Sequence, residues 1–303
     1  MRFLVRASFL LALMGAPSLL AQTHVDIPEL PLDAVYSVDA SDGVEPSGLA
    51  FYKDELYCVS DKHDSCVYRI RMENERATLD PAISFELPND GPEGLADFEG
   101  LCCDSDGNFY LASEKMFRVL RVPPDGKGTT WVTPDLRPAG AEAGLFRTEG
   151  AYVEGLARID ATHFVLCAER QPRGIVSVDL AQNPPTVQAV AVKTATIPPH
   201  GIRVPDFTDL CYHDGVLYAL ERNAEIISMV ETKDGAVSVR PWRSFRDAVN
   251  RKDLRYADRR FGMAEGLAIH GDRVYVILDN NQDARADGAN DKRPLLFVFR
   301  NAR

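Results

Sequence analysis

The sequence predicts an all-β chain, a five-bladed β-propeller of four-stranded antiparallel blades whose ring is closed by an N-terminal strand in the last blade. Three observations predict it. A short motif, with Gly-Leu and then a small residue at its centre, recurs five times; its glycine position falls at 48, 100, 155, 209 and 266, with Asp209 replacing glycine in the fourth copy. Each copy is followed by four short β-rich runs separated by Asp-Gly or Pro turns, the pattern of a propeller blade repeated at 50-odd residues. The last copy ends one strand short, while Ala34–Val38, ahead of the first copy, belongs to no unit of its own.

Taken in order, the chain opens with Arg2 and Arg6, an apolar run from Ala7 to Leu13, and small residues at Ala16 and Ala21. That order is expected of a secretory signal peptide over residues 1–21. The run is too short to cross a bilayer, and no later segment approaches the ~20 apolar residues a spanning helix needs. The expected product is an exported protein, periplasmic or extracellular, with residues 22–303 forming one propeller domain. Its repeats start near 47, 99, 154, 208 and 265, and a monomer is expected. A formal charge of −11 opposes binding to a phosphate backbone, so nucleic acid is excluded as a general partner.

Within the units, the second reads as strands over Gly100–Cys103, Asn108–Ser113, Phe117–Val122 and Thr129–Thr133. The third reads as Glu154–Ile159, Phe164–Ala168, Ile175–Val178 and Thr186–Val192, and the fourth as Thr208–Tyr212, Val216–Leu220, Ile226–Val230 and Val237–Arg240. The fifth gives Glu265–Ile269, Arg273–Leu278 and Leu295–Phe299. First strands crowd towards an axis, and the sequence agrees: Leu follows the glycine position in all five copies, then Ala or Cys. Two connectors are long, one Pro-rich with His200, the other basic with a short helix expected over Arg246–Asp253. Of six cysteines, Cys58 and Cys66 flank one loop and could bridge a hairpin. Cys102 and Cys211 occupy the small-residue position, where a thiol packs as a small hydrophobe.

The chemistry lies in the flanks of the motif. In an antiparallel pair the start of the first strand and the end of the second share one edge. Glu99, Glu154 and Glu265 should therefore meet Asp61, Glu114, Glu169, Glu221 and Asp279 around one opening. Ser47 and Thr208 stand where the other copies have the leading glutamate. Carboxylates so crowded repel one another unless a cation sits among them, and Ca²⁺, with six to eight oxygen ligands, fits such a set. Lys62, Lys115, Arg170 and Arg222 each follow a second-strand acid and are candidates to bind a phosphate shared with the cation. An acid–base neighbour pair at a loop also has an ordinary solvated reading. His63 and His200 are candidate proton donors. The loop 279–294 is rich in oxygen ligands but fails EF-hand spacing at Arg285.

The segments EPSGLAFYKDELYCVSDK, DFEGLCCDSDGNFYLASEK, VEGLARIDATHFVLCAER and AEGLAIHGDRVYVILDNN resemble the bacterial phytase-like family described as "esterase-like activity of phytase". They are also similar to the SdiA-regulated propeller family. The resemblance implies a calcium-associated propeller that hydrolyses a small phosphorylated or ester substrate at its acidic mouth. The second family implies instead a non-catalytic envelope module in which calcium is structural.

Overall fold

The computed structural model describes residues 26–40, 44–89, 96–199, 201, 203–233, 235–258, 260–288 and 290–301. The leader read over residues 1–21, and His200, lie outside them. Strand β1 (Leu32–Asp39) is followed by β2 (Pro46–Tyr52), β3 (Glu55–Ser60), β4 (Cys66–Glu73) and β5 (Arg76–Ser84) of the first repeat unit. The second unit is β6 (Phe98–Cys103), β7 (Phe109–Ser113), β8 (Arg118–Val122) and β9 (Thr130–Trp131), with α1 (Arg137–Glu142) in the connector after it. The third comprises β10 (Val153–Arg158), β11 (His163–Ala168), β12 (Gly174–Asp179) and β13 (Thr186–Ala191). The fourth comprises β14 (Asp209–His213), β15 (Val216–Glu221), β16 (Ile226–Lys233) and β17 (Ala236–Ser244), and α2 (Arg246–Val249) follows it. The chain ends with β18 (Ala264–His270), β19 (Arg273–Leu278) and β20 (Leu295–Arg300).

Three units form separate four-stranded antiparallel sheets, and one eight-stranded sheet runs β18-β19-β20-β1-β5-β4-β3-β2. That sheet divides into two antiparallel halves at a short parallel contact, Ser37–Asp39 of β1 against Arg76–Thr78 of β5. The leftover N-terminal strand does complete the last unit: β1 runs antiparallel to β20 from Leu32↔Phe299 to Ser37↔Leu295. The segment ahead of β1 ties down the fourth unit as well, since Leu30 N donates to Ser244 O (2.7 Å) and Ser244 N donates to Pro28 O (3.0 Å). Every expected strand is found, most with ends moved by a residue or two. The connector helix is shorter than expected and stops at Val249. Helix α1 has no counterpart in the sequence reading: Pro138 and Gly140 are poor helix residues, and Pro138 is tolerated because it lies in the first turn.

First strands β2, β6, β10, β14 and β18 pack side by side in a closed cycle. The apolar core follows that cycle, lying between units rather than within them. Tyr57 and Val59 pack with Phe98 and Phe109, Tyr110 with Phe164, Ala157 with Leu210, and Leu220 with Leu267; Leu49 then packs with Ile277 and Leu296 to close the round. Second strands are buried on both faces, as β7 is along its whole length, which is why they read as continuous apolar runs. Each fully buried phenylalanine contributes about 1.5–3 kcal/mol. All six cysteines are free thiols, so Cys58 and Cys66 pack as small buried side chains rather than bridging.

The motif glycines are needed at the axis. A Cβ on Gly100 would stand 2.6 Å from Glu154 O and 2.7 Å from Leu156 N of the next first strand. Gly48 meets Glu99 O at 2.6 Å, and Gly266 meets Ser47 O at 2.7 Å. Neighbouring backbones touch there, and a methyl group has no flexible atom to displace. Gly100→Ala is therefore expected to destabilise the protein by about 1–3 kcal/mol or more. Urea denaturation measures it, and an unchanged midpoint would contradict the backbone contact.

Candidate functional site

The pairing register breaks at the leading acids. It shifts between Phe98 and Gly100, between Val153 and Leu156, and between Ala264 and Gly266. Such bulges release a residue from the ladder and re-aim its side chain, and here the released residues include Glu99, Glu154 and Glu265. In the fourth unit Asp209 pairs with Leu220 in unbroken register. Local pairing thus turns three glutamates towards the axis and leaves the fourth copy different.

They enter a cavity of about 340 Å³. Its wall carries Glu99, Glu154, Glu265, Asp61, Glu114, Glu169 and Asp279, all named by the sequence, and Asp97, which was not. Lys62, Lys115, Arg170 and Arg222 line it too, so carboxylates outnumber bases eight to four. Glu221 does not line it. Its carboxylate accepts from the fully buried Arg173 (2.6 Å) and from Ser228, an ion pair sealed between the third and fourth units. His63 also lies outside the lining. The loop after β19 spends its oxygens internally: Asn280 donates to Lys292 O (2.8 Å), and Asp291 accepts from Arg293 (2.9 Å).

The bases are already engaged. Lys62 pairs with Asp61 and with Glu45 (3.3 Å), and Lys115 with Asp97 (3.1 Å) and Glu114 (3.5 Å). Arg170 pairs with Glu169. Arg222 donates to Glu169, Glu265 and Asp206, the last at 3.1 Å, and so ties the third, fourth and fifth units together. Both lysines are half exposed, whereas Arg222 is recessed and committed to three acids.

Several oxygens still lack a partner. The nearly buried Glu154 carboxylate accepts no hydrogen bond among the described residues. Asp61 Oδ1 and Glu169 Oε2 are buried without a donor. Glu99 accepts from Ser47 Oγ (2.7 Å) and Glu114 from Tyr152 N (2.9 Å). Burial, and then the negative charge of Asp61, pushes Glu99 well above the usual carboxylate range; burial, and then Glu99, does the same to Glu154. Asp279 is pushed up to about 7, mainly by burial. One oxygen each from Asp61, Asp97 and Glu99 lies within 4.8 Å of the others. Orphaned buried oxygens and a surplus of carboxylates fit a hard cation such as Ca²⁺, and Asp61, Asp97 and Glu99 are the residues that would hold one.

Two acids at the axis escaped the sequence reading. Asp97 sits two residues ahead of the leading acid in left-handed backbone (φ 58°), a conformation aspartate tolerates. Glu45 and Asp206 hold the equivalent place, so the signal was a second acid at fixed offset in three copies. Asp209 was seen only as a missing glycine. Its fully buried carboxylate accepts from the N–H groups of Leu267 (2.7 Å), Leu210 (2.8 Å), Leu49 (3.4 Å) and Leu156, gathering four first strands on one side chain at the axis.

A family model described as phytase-like, esterase-like activity of phytase, matches residues 45–282. The chain belongs to the phytase-like family. The match runs from Glu45, beside Lys62, to Gln282, just past Asp279, and so takes in every cavity-lining acid of this phytase-like chain. No curated protein matches it. Among solved structures it is similar to glutaminyl cyclase of Myxococcus xanthus, at 13% identity and a TM-score of 0.52, covering 90% of this chain and 97% of that one. It is also similar to virginiamycin B lyase of Staphylococcus aureus, at 13% identity and a TM-score of 0.42, covering 91% and 77%. The likeness to the glutaminyl cyclase reaches the all-β, propeller-like fold alone.

Asp209→Ala strips the acceptor from its donors, at about 1–3 kcal/mol for each N–H left unpaired; Asp209→Asn, which keeps one acceptor oxygen, costs less. Denaturant titration of both variants checks the order, and equal midpoints for alanine and wild type would refute the amide cradle. The mouth acids set a pH trend in chelator-treated protein. Between the ordinary 3.8 of Asp279 and its folded value of about 7, the folded chain holds protons that the unfolded chain has released. Stability then falls as pH rises through that window. Melting at pH 5 and at pH 8 is expected to give the lower Tm at pH 8, and the opposite order would show that these acids are ionised when folded.

Proposed function

We propose that this is an exported, five-bladed propeller that holds Ca²⁺ at its acidic mouth and hydrolyses a small phosphoester there. The observation that carries the reading is the convergence of Asp61, Asp97 and Glu99, with Lys62 and Lys115 salt-bridged to two of the three. When bound, the cation supplies charge stabilisation at a phosphoryl or ester oxygen. This chain's residues supply the rest. Neutralising Asp61 and Asp97 weakens their hold on the two lysines, which are exposed enough to turn to the non-bridging oxygens of a phosphate. Glu154, unpartnered and pushed well above the usual carboxylate range by burial, is placed to carry a proton to a leaving oxygen. Arg222 is reassigned from substrate contact to positioning, since it holds Glu169 and Glu265 in place. Family membership supports a small-molecule substrate.

The test is phosphate release from phytate and an aryl phosphate, alongside hydrolysis of an aryl carboxylate, each with calcium and with chelator. Calcium-dependent phosphate release is expected, with Asp97→Asn or Lys115→Gln lowering kcat by on the order of 10²-fold. Calcium at 100 times its Kd should also stabilise the fold by about 2.7 kcal/mol. Stabilisation without turnover on any of the three substrates would defeat the hydrolase and leave the cation as a lock between blades, as the SdiA-regulated resemblance implies.

A further inference from the structure

At the other end of the axis the outgoing ends of the five first strands surround a second cavity, of about 270 Å³. Its ionisable side chains are basic where those of the mouth are mostly acidic. Lys53 comes from the first unit, Arg158 from the third, His213 from the fourth and His270 from the fifth, and among the described residues no aspartate or glutamate lines the wall. In a chain of net charge −11 that is an unusual place. Three thiols share the wall, and they add no charge at pH 7, since burial pushes Cys103 up to about 11, Cys211 up to about 12 and Cys102 well above the usual thiol range.

The two strong bases have charge to spare. Among the described residues neither Lys53 nor Arg158 forms an ion pair. Arg158 Nε is buried without an acceptor, and the guanidinium is held over the Tyr110 ring at 5.5 Å. Lys53 Nζ lies over the Tyr52 ring at 4.9 Å. The acids nearby are spent or turned outward. Asp104 accepts from Asn108 (2.8 Å) and from Tyr110 Oη (3.0 Å), while Asp54 and Asp214, which meet His270 and His213, are largely exposed. On the axis, Asp209 is wrapped in backbone N–H groups. A buried N–H without an acceptor costs free energy, and a bound anion would remove that cost. Four units thus bring donors to one opening from four sides. A planar carboxylate offers two oxygens in one plane, whereas a tetrahedral phosphate offers oxygens in several directions and suits that arrangement.

We propose that this cavity binds a phosphate-type tetrahedral anion, held by Arg158 and Lys53 with His213 and His270 as further donors. The volume equals about nine water-sized groups, which is room for the free ion with its waters or for the head of a phosphate monoester. The site does not depend on the reading of the acidic mouth.

Calorimetry on the full chain, after chelator treatment and dialysis so that no cation draws anions to the mouth, tests it with inorganic phosphate, phenylphosphonate and acetate. Phosphate is expected to bind at least about tenfold tighter than acetate. Phenylphosphonate binding the tighter of the two phosphorus ligands assigns a monoester head; phosphate binding as tightly or more so assigns the free ion. Arg158→Gln should weaken phosphate about tenfold or more. Lys53→Gln, on an exposed turn, should weaken it by a smaller factor, and reads the site even if Arg158→Gln does not fold. Lys115→Gln at the mouth should change nothing. In NMR spectra the imidazole signals of His213 and His270 should move on adding phosphate, and those of His63, at the mouth end, should not. Equal affinity for phosphate and acetate, indifference to both base variants, loss of binding in Lys115→Gln, or no phosphate binding at millimolar concentration would each overturn the proposal.

Discussion

Backbone touching backbone at the axis is the constraint from which the rest follows. Where Gly48, Gly100, Gly155 and Gly266 lie, the next first strand stands too close for any side chain. First strands brought so near can bury their second-strand partners between units, and the apolar layers then run from one unit to the next rather than within each sheet. Closing that round also removes the open edges a linear array would expose. The fourth first strand breaks the rule with Asp209. A carboxylate there is tolerable only because four backbone N–H groups converge on it, and burial without them would cost several kcal/mol.

The same closure creates the electrostatic problem at the mouth. Bulges at Glu99, Glu154 and Glu265 turn carboxylates into a space already bordered by the second-strand acids. Arg222 answers it on one side, holding Glu169, Glu265 and Asp206 together. On the other side the answer is looser, with two half-exposed lysines each shared between two acids. A flexible ammonium gives up such a partner at little cost, whereas a recessed guanidinium with three partners does not. The mouth is thus rigid beside the third to fifth units and adaptable beside the first two, where Asp61, Asp97 and Glu99 converge.

The fold was legible because closure constrains sequence directly: glycine where backbones touch, leucine and then a small residue beyond it. The acids of the mouth were legible for a related reason, since strand pairing dictates which ends meet. Side-chain direction was not. Glu221 holds the same repeat position as Glu114 and Glu169, yet Arg173 draws it into an ion pair between units. That arginine lies beyond the second strand of the preceding unit, outside the motif, and nothing in the spacing tells that it points inward. Asp97 was missed because its left-handed backbone, not its place in a strand, brings it to the cavity. Asp209 was missed because a lost glycine reads as decay of a motif until the convergent amides are seen.

The two ends of the axis differ because repetition binds one end more tightly than the other. At the mouth, acids recur in unit after unit, so their charges add and the cavity must be acidic. Beyond the small residue no such rule operates: the third position after the glycine place holds Phe51, Cys103, Arg158, Tyr212 and Ile269 in turn. The lining there is mixed, with Lys53, Arg158, His213 and His270 beside cysteine, alanine and aromatic side chains, and no repeated charge runs round it. Asp209 lies between these regimes, its charge taken up by the first strands themselves. The acids at one end therefore need not dictate what binds at the other.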